Sequence, residues 1–145
     1  MADPHPDARA VRGVGPPRAW QRVLGYVAAL LLMLEGVLHS VAGWPAVHRE
    51  LSTAHVSAAF SEGLAVPWHL AGSALVMLGC MAGWCLLRSS EEWSVTRRLV
   101  GGIGVYLTAF AIVGAAAIKA DPTFLMFGVP GIMLIASAAW ASRSA

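Results

Sequence analysis

The segment LLMLEGVLHS, residues 31–40, places a glutamate and a histidine inside an otherwise apolar run. Glu35 and His39 stand four residues apart, so on a helix they share one face, about 6 Å apart along the axis. A carboxylate deep in lipid is costly unless protonated, paired or hydrated, and the pair is expected to point into the protein. His69, in the segment PWHLAGSALVMLG, is the expected third member. Gly72, three residues on, lies on a glycine face, and residue counting brings His69 to within about 3 Å of His39 in depth. Lys119 and Asp121 fall near the mouth of the pocket these three would form. His48, His55, Glu50 and Glu62 fall in the loop above it.

Residues of these types support several chemistries. Two imidazoles and a carboxylate can hold iron, copper or zinc with positions left open, so Glu35, His39 and His69 form one candidate metal set. Two histidines at matched depth can instead ligate a haem, but there is no CxxCH for covalent attachment and no HExxH. A buried Glu–His pair can also exchange protons with the headgroup of a lipid-soluble, quinone-like substrate. Glu35 is then the proton acceptor, and the histidines are ligands or proton donors. Proton or ion conduction would use the same side chains. The inner half of the spans, however, offers Tyr106 and Thr108 and no acidic residue. The plainest alternative is that Glu35, His39 and His69 hydrogen-bond one another and fix helix register. The chain would then be a non-catalytic accessory or structural subunit of a membrane complex. Whether it is an enzyme stays open on these grounds.

The elements that must position these residues follow from composition. Of the 145 residues, 57% are hydrophobic and 12% charged, against about 25% charged in soluble domains. Residues 23–44, 66–87, 99–118 and 123–141 form four apolar runs. Each is about 20 residues, enough to cross a hydrocarbon core of about 30 Å. The runs do not alternate, which argues for helices over barrel strands. The expected fold is an all-α, four-transmembrane-helix bundle in residues 20–145. A short amphipathic helix is expected in the outer loop, where Val47, Leu51, Ala54 and Ala58 recur at helical spacing after Pro45. Gly63 and Pro67 are expected to bracket the turn back into the membrane. Residues 1–19 read as a disordered tail.

Eight of the ten basic residues, Arg9, Arg12, Arg18, Arg22, Arg88, Arg97, Arg98 and Arg143, lie on one side of the expected spans, with Arg49 and Lys119 on the other. Both termini are therefore expected in the cytoplasm, in the inner membrane if the source is bacterial. Ser40-Val41-Ala42 has the spacing of a signal-peptide cleavage site, but the run before it is too long and contains Glu35. Trp20, Trp44, Trp68, Trp84, Trp93 and Trp140 sit near span ends as an aromatic belt, which argues against reading any of them as a ligand-stacking residue. Gly72, Gly79 and Gly83 on one span, and Gly25, Ala29, Gly36 and Gly43 on another, form stripes that allow close helix approach. Asp121-Pro122 reads as the start of a helix, so the last two spans should form an antiparallel hairpin. Pro130 should kink the last of them. Cys80 and Cys85, five apart, read as apolar fillers.

The layout resembles DoxX-like membrane proteins. The likeness rests on Trp20-Gln21-Arg22-Val23-Leu24-Gly25 at the start of the first span and on a polar, glycine-containing break in its outer half. The segments LHSVAGWP and PWHLAGSALVMLG also look like signatures of a small membrane family. The resemblance implies a small four-helix protein tied to quinone or thiol redox chemistry. The expected partners are the lipid bilayer, other membrane subunits or further copies of the chain. Nucleic acid is not expected, because the few basic residues form no groove. Soluble hydrolase chemistry is not expected either, for want of a GxSxG.

Overall fold

The computed structural model describes residues 18–88, 93–117 and 124–139, and these are helical almost throughout. The helices are α1 (Ala19–Leu38), α2 (Trp44–Thr53), α3 (Ala58–Leu87), α4 (Trp93–Ala117) and α5 (Leu125–Ala139). Three stretches, Ala19–Thr53, Ala58–Leu87 and Val95–Ala117, are long and apolar enough to cross a membrane, and α5 is a shorter apolar helix. Residues 1–17, 89–92, 118–123 and 140–145 lie outside the described residues, and with them most of the expected tail, Lys119, Asp121-Pro122 and Trp140.

The first helix begins where Arg18 leaves helical geometry and its backbone N–H donates to Gln21 Oε1 at 2.7 Å. That bond satisfies one of the donors exposed at a helix start. The chain does not break after α1. It passes through one π-helical turn, His39–Gly43, directly into α2. Pro45 supplies the cause. It has no N–H, and its ring crowds the carbonyl four residues back, so a wider turn ahead of it relieves the clash.

The amphipathic helix expected after Pro45 is present as α2, with Val47 and Leu51 partly covered and His48, Arg49, Glu50 and Ser52 exposed. It stops earlier than its apolar spacing suggested. The backbone N–H of Val56 donates to Leu51 O at 3.1 Å and that of His55 to Ser52 O at 3.2 Å, closing the helix end. This closure needs a left-handed residue, and His55 takes it at φ 56°. Ser57 then caps α3, accepting from the Phe60 N–H at 3.4 Å. The cap moves the start of α3 to Ala58, eight residues before the expected span. Gly63 and Pro67 therefore lie inside α3 and do not bracket a turn.

Glycine decides how the helices pair. A Cβ on Gly36 would strike the Gly72 carbonyl and lie 2.9 Å from Val76 N, and one on Gly79 would lie 2.7 Å from Ala29 O. At the far end, Gly25 faces Leu86. The order of these contacts makes α1 and α3 antiparallel, with the two expected glycine stripes facing each other. Gly83 takes little part, its nearest neighbour being Ala29 Cβ at 3.9 Å. α4 and α5 form a second antiparallel pair, in which a Cβ on Gly104 would lie 2.6 Å from Gly131 O. α5 runs on through Pro130, which is buried together with Gly131. The pairs meet through α1 and α5, while α3 and α4 touch more sparsely. A narrow core of Ala28, Leu32, Leu75, Ala82, Leu86, Val100, Leu107 and Leu134 runs between them. Large apolar side chains point outward instead: Val66 and Leu87 are each 71% exposed and Val41 69%.

Candidate functional site

The stripe on α3 that faces α1 and the core is set by its buried residues Ser61, Gly72, Leu75, Gly79, Ala82 and Leu86. These recur at seven-residue intervals, 61–75–82 and 72–79–86, and position 68 completes the first series. Trp68 is thus the inward aromatic of α3, and His69, the next residue, is turned away and exposed. The sequence expectation for the pair is inverted. His69 does not face inward beside Gly72, and the inward ring at this level of α3 is that of Trp68.

Trp68 meets His39. The indole and imidazole rings are stacked with centroids 4.2 Å apart and planes 9° from parallel. The indole Nε1–H also donates to the His39 backbone carbonyl at 2.8 Å. His39 is the first residue of the π-helical turn. Gly43, its last residue, lies against the same N–H edge of the indole, where a Cβ would be 3.1 Å from Trp68 Cζ2 and 3.7 Å from Nε1. Trp44 packs beside Trp68 with centroids 6.2 Å apart, and His48 and His69 each lie 5.8 Å from the Trp44 ring. The five rings form one cluster at the α2 end of the helices, with Trp68 and His39 innermost. A hydrogen bond of this kind is worth about 1 kcal/mol and a stacked aromatic pair about the same.

His39 also lines a cleft. The cleft has a volume of about 230 Å³ and lies between α3 and α4, lined by Leu75 and Leu78 of α3, Tyr106 and Phe110 of α4, and Phe127 of α5. Among the described residues its lining is apolar apart from His39 and Tyr106. The Phe110 and Phe127 rings meet edge to face, 5.4 Å apart, and stiffen the far side. His39 Nε2 is buried and has no hydrogen-bond partner, and the same holds for Glu35 Oε2 one turn earlier. An unmet buried polar atom costs about 1–3 kcal/mol. Glu35 and His39 thus share a helix face, as their spacing required, but they do not bond each other.

The remaining candidates separate. His48 stands exposed on α2, and His55 occupies the left-handed turn. Lys119 and Asp121 lie outside the described residues. Among the described residues, no three His, Cys, Asp or Glu side chains are gathered as metal ligands. Glu35, His39 and His69 are therefore not drawn into a single donor set. Trp68 was the residue that sequence reasoning missed. The seven-residue recurrence of small and apolar positions on α3 could have found it. No family model, curated protein or solved structure matches the chain.

Proposed function

We propose that the chain is a four-helix integral membrane protein that holds a lipid-soluble molecule with a planar, oxygen-bearing ring, of quinone type, in the cleft between α3, α4 and α5. One observation carries this reading: a buried imidazole nitrogen without a partner, on a residue that lines an otherwise apolar, aromatic-walled cleft. A ring oxygen entering at the His39 end supplies the missing hydrogen bond once a small turn of the imidazole brings Nε2, covered in this structure, to the cleft. Phe110, Phe127 and Tyr106 supply ring contacts. Pockets for whole drug-sized ligands run from about 300 to 1,000 Å³. This cleft is smaller and partly open, which suits a headgroup whose tail stays in lipid.

The membrane setting rests on the three long apolar stretches and on the outward-facing valines and leucines. In this reading α5 is the fourth span, both termini are cytoplasmic, and α2 lies on the outer side. Glu35, behind His39 on the same face, is the proton acceptor. The resemblance to DoxX-like proteins points toward the same quinone chemistry.

The test is binding of a short-chain ubiquinone analogue to the detergent-purified protein, followed by quenching of tryptophan fluorescence. Saturable quenching is expected for the wild type, weakened about tenfold or more in His39→Ala, as loss of one hydrogen bond implies. Equal affinity in both proteins sinks the ligand reading. It leaves an accessory subunit in which the buried polar residues serve packing.

A further inference from the structure

The indole of Trp68 touches His39 in two independent ways, and the surrounding chain is shaped to allow both. The ring lies flat on the imidazole at 4.2 Å, and its N–H holds the His39 carbonyl at 2.8 Å. That carbonyl opens the π-helical turn, where the regular helical hydrogen-bond ladder is disturbed and a carbonyl can take an outside donor. Gly43, at the other end of the same turn, leaves the space the indole fills. Trp44 backs the indole from the α2 side. Packing alone would require a large apolar group at position 68. It would not require a donor aimed at the backbone of the residue whose ring it covers.

We infer that Trp68 is a positioning residue: it clamps the ring and backbone of His39 together, so that the imidazole meets a ligand in the α3–α4 cleft in one fixed orientation. The inference rests on the function proposed above for its consequence in binding, but the clamp itself is measured separately. Trp68→Phe keeps a ring over His39 and loses the donor. Trp68→Leu loses both. Lost volume alone would also rank Phe between Trp and Leu, so the clamp is read from the His39 ring protons and the ligand affinity and not from stability.

The experiment has two readouts on detergent-purified protein whose helix content is first checked by circular dichroism. Proton NMR of the His39 ring, assigned through His39→Gln, reports stacking, because a parallel indole moves the ring protons upfield. The upfield position is expected in the wild type, retained in part in Trp68→Phe and lost in Trp68→Leu. Titration with the short-chain ubiquinone analogue reports the consequence. Affinity should fall about tenfold in Trp68→Leu, with part of the loss recovered in Trp68→Phe. Trp84→Phe, at the far end of α3 and exposed, should bind like the wild type. Wild-type His39 protons at ordinary positions overturn the clamp. So does Trp68→Leu binding as tightly as the wild type. A wild type that binds no quinone but shows the upfield ring protons, lost in Trp68→Leu, removes the proposed function and upholds the clamp. If Trp68→Leu fails to fold, the wild-type ring protons and the Trp68→Phe affinity decide alone: unchanged affinity without the indole donor would overturn the proposal.

Discussion

His39 and His69 carry the same imidazole and meet opposite surroundings. One lies under an indole at the end of a cleft, and the other is exposed beside Trp44. The two alanine variants should therefore part company. Among the described residues, His39 is the one histidine that lines the cleft, and His39→Ala removes it. His69→Ala removes a group turned away from the cleft, with an expected loss in quinone affinity of no more than about threefold, under 1 kcal/mol. A titration of both variants side by side decides, and a larger loss in His69→Ala would put the site on the wrong face of α3. Glu35→Gln keeps the shape of the side chain and its capacity for hydrogen bonds but cannot take up a proton. It should leave the protein folded and binding, and change how affinity varies with pH. An unchanged pH profile would remove Glu35 from the mechanism.

Two glycine classes make opposite demands on the helices. At Gly72 a Cβ would meet Ser40 Oγ and Gly36 O, and at Gly102 it would meet nothing within 4 Å. Gly72→Ala forces α1 and α3 apart, and overpacking of this kind costs about 1–3 kcal/mol. Gly102→Ala gains helix propensity, about 1 kcal/mol at most. Thermal unfolding in one detergent should order them Gly72→Ala, wild type, Gly102→Ala. The turn after α2 makes a further demand. His55 sits at φ 56°, in the region L side chains rarely adopt. His55→Gly should stabilise that turn by about 1 kcal/mol, seen as slower amide hydrogen exchange around residues 51–57. Faster exchange there would mean that the His55 side chain itself holds the turn.

At the scale of the molecule, the small core and the apolar outside belong together. Helices meeting through Gly36, Gly72, Gly79, Gly104 and Gly131 approach too closely to bury large side chains between them. Many of the large valines, leucines and isoleucines are left outside, as the membrane setting proposed above requires. The proposed orientation can be read with cysteines placed in a background lacking Cys80 and Cys85. A membrane-impermeant maleimide should label Glu50→Cys on intact cells and Leu87→Cys only after lysis. The reverse pattern would overturn the orientation inferred from the arginines.

The sequence by itself determined the class of molecule. Length, apolar runs and the scarcity of charge fix helices of spanning length, because they depend only on composition along the chain. The glycine stripes were legible for the same reason, since a period of three to four residues needs no partner to be seen. The shared face of Glu35 and His39 was likewise a matter of spacing. The tertiary structure decided what each face meets. Whether Trp68 or His69 turns inward depends on the rotation of α3, which is set by the contacts of Gly72 and Gly79 with α1. A difference of one residue is about 100° on a helix, and counting from a single glycine does not resolve it. The early start of α3 depended on a left-handed histidine and a serine cap, and neither carries an apolar signal. The cleft lies between α3 and α4, which touch sparsely while α1 and α5 hold the two pairs together, and no stretch of sequence records a separation between two helices.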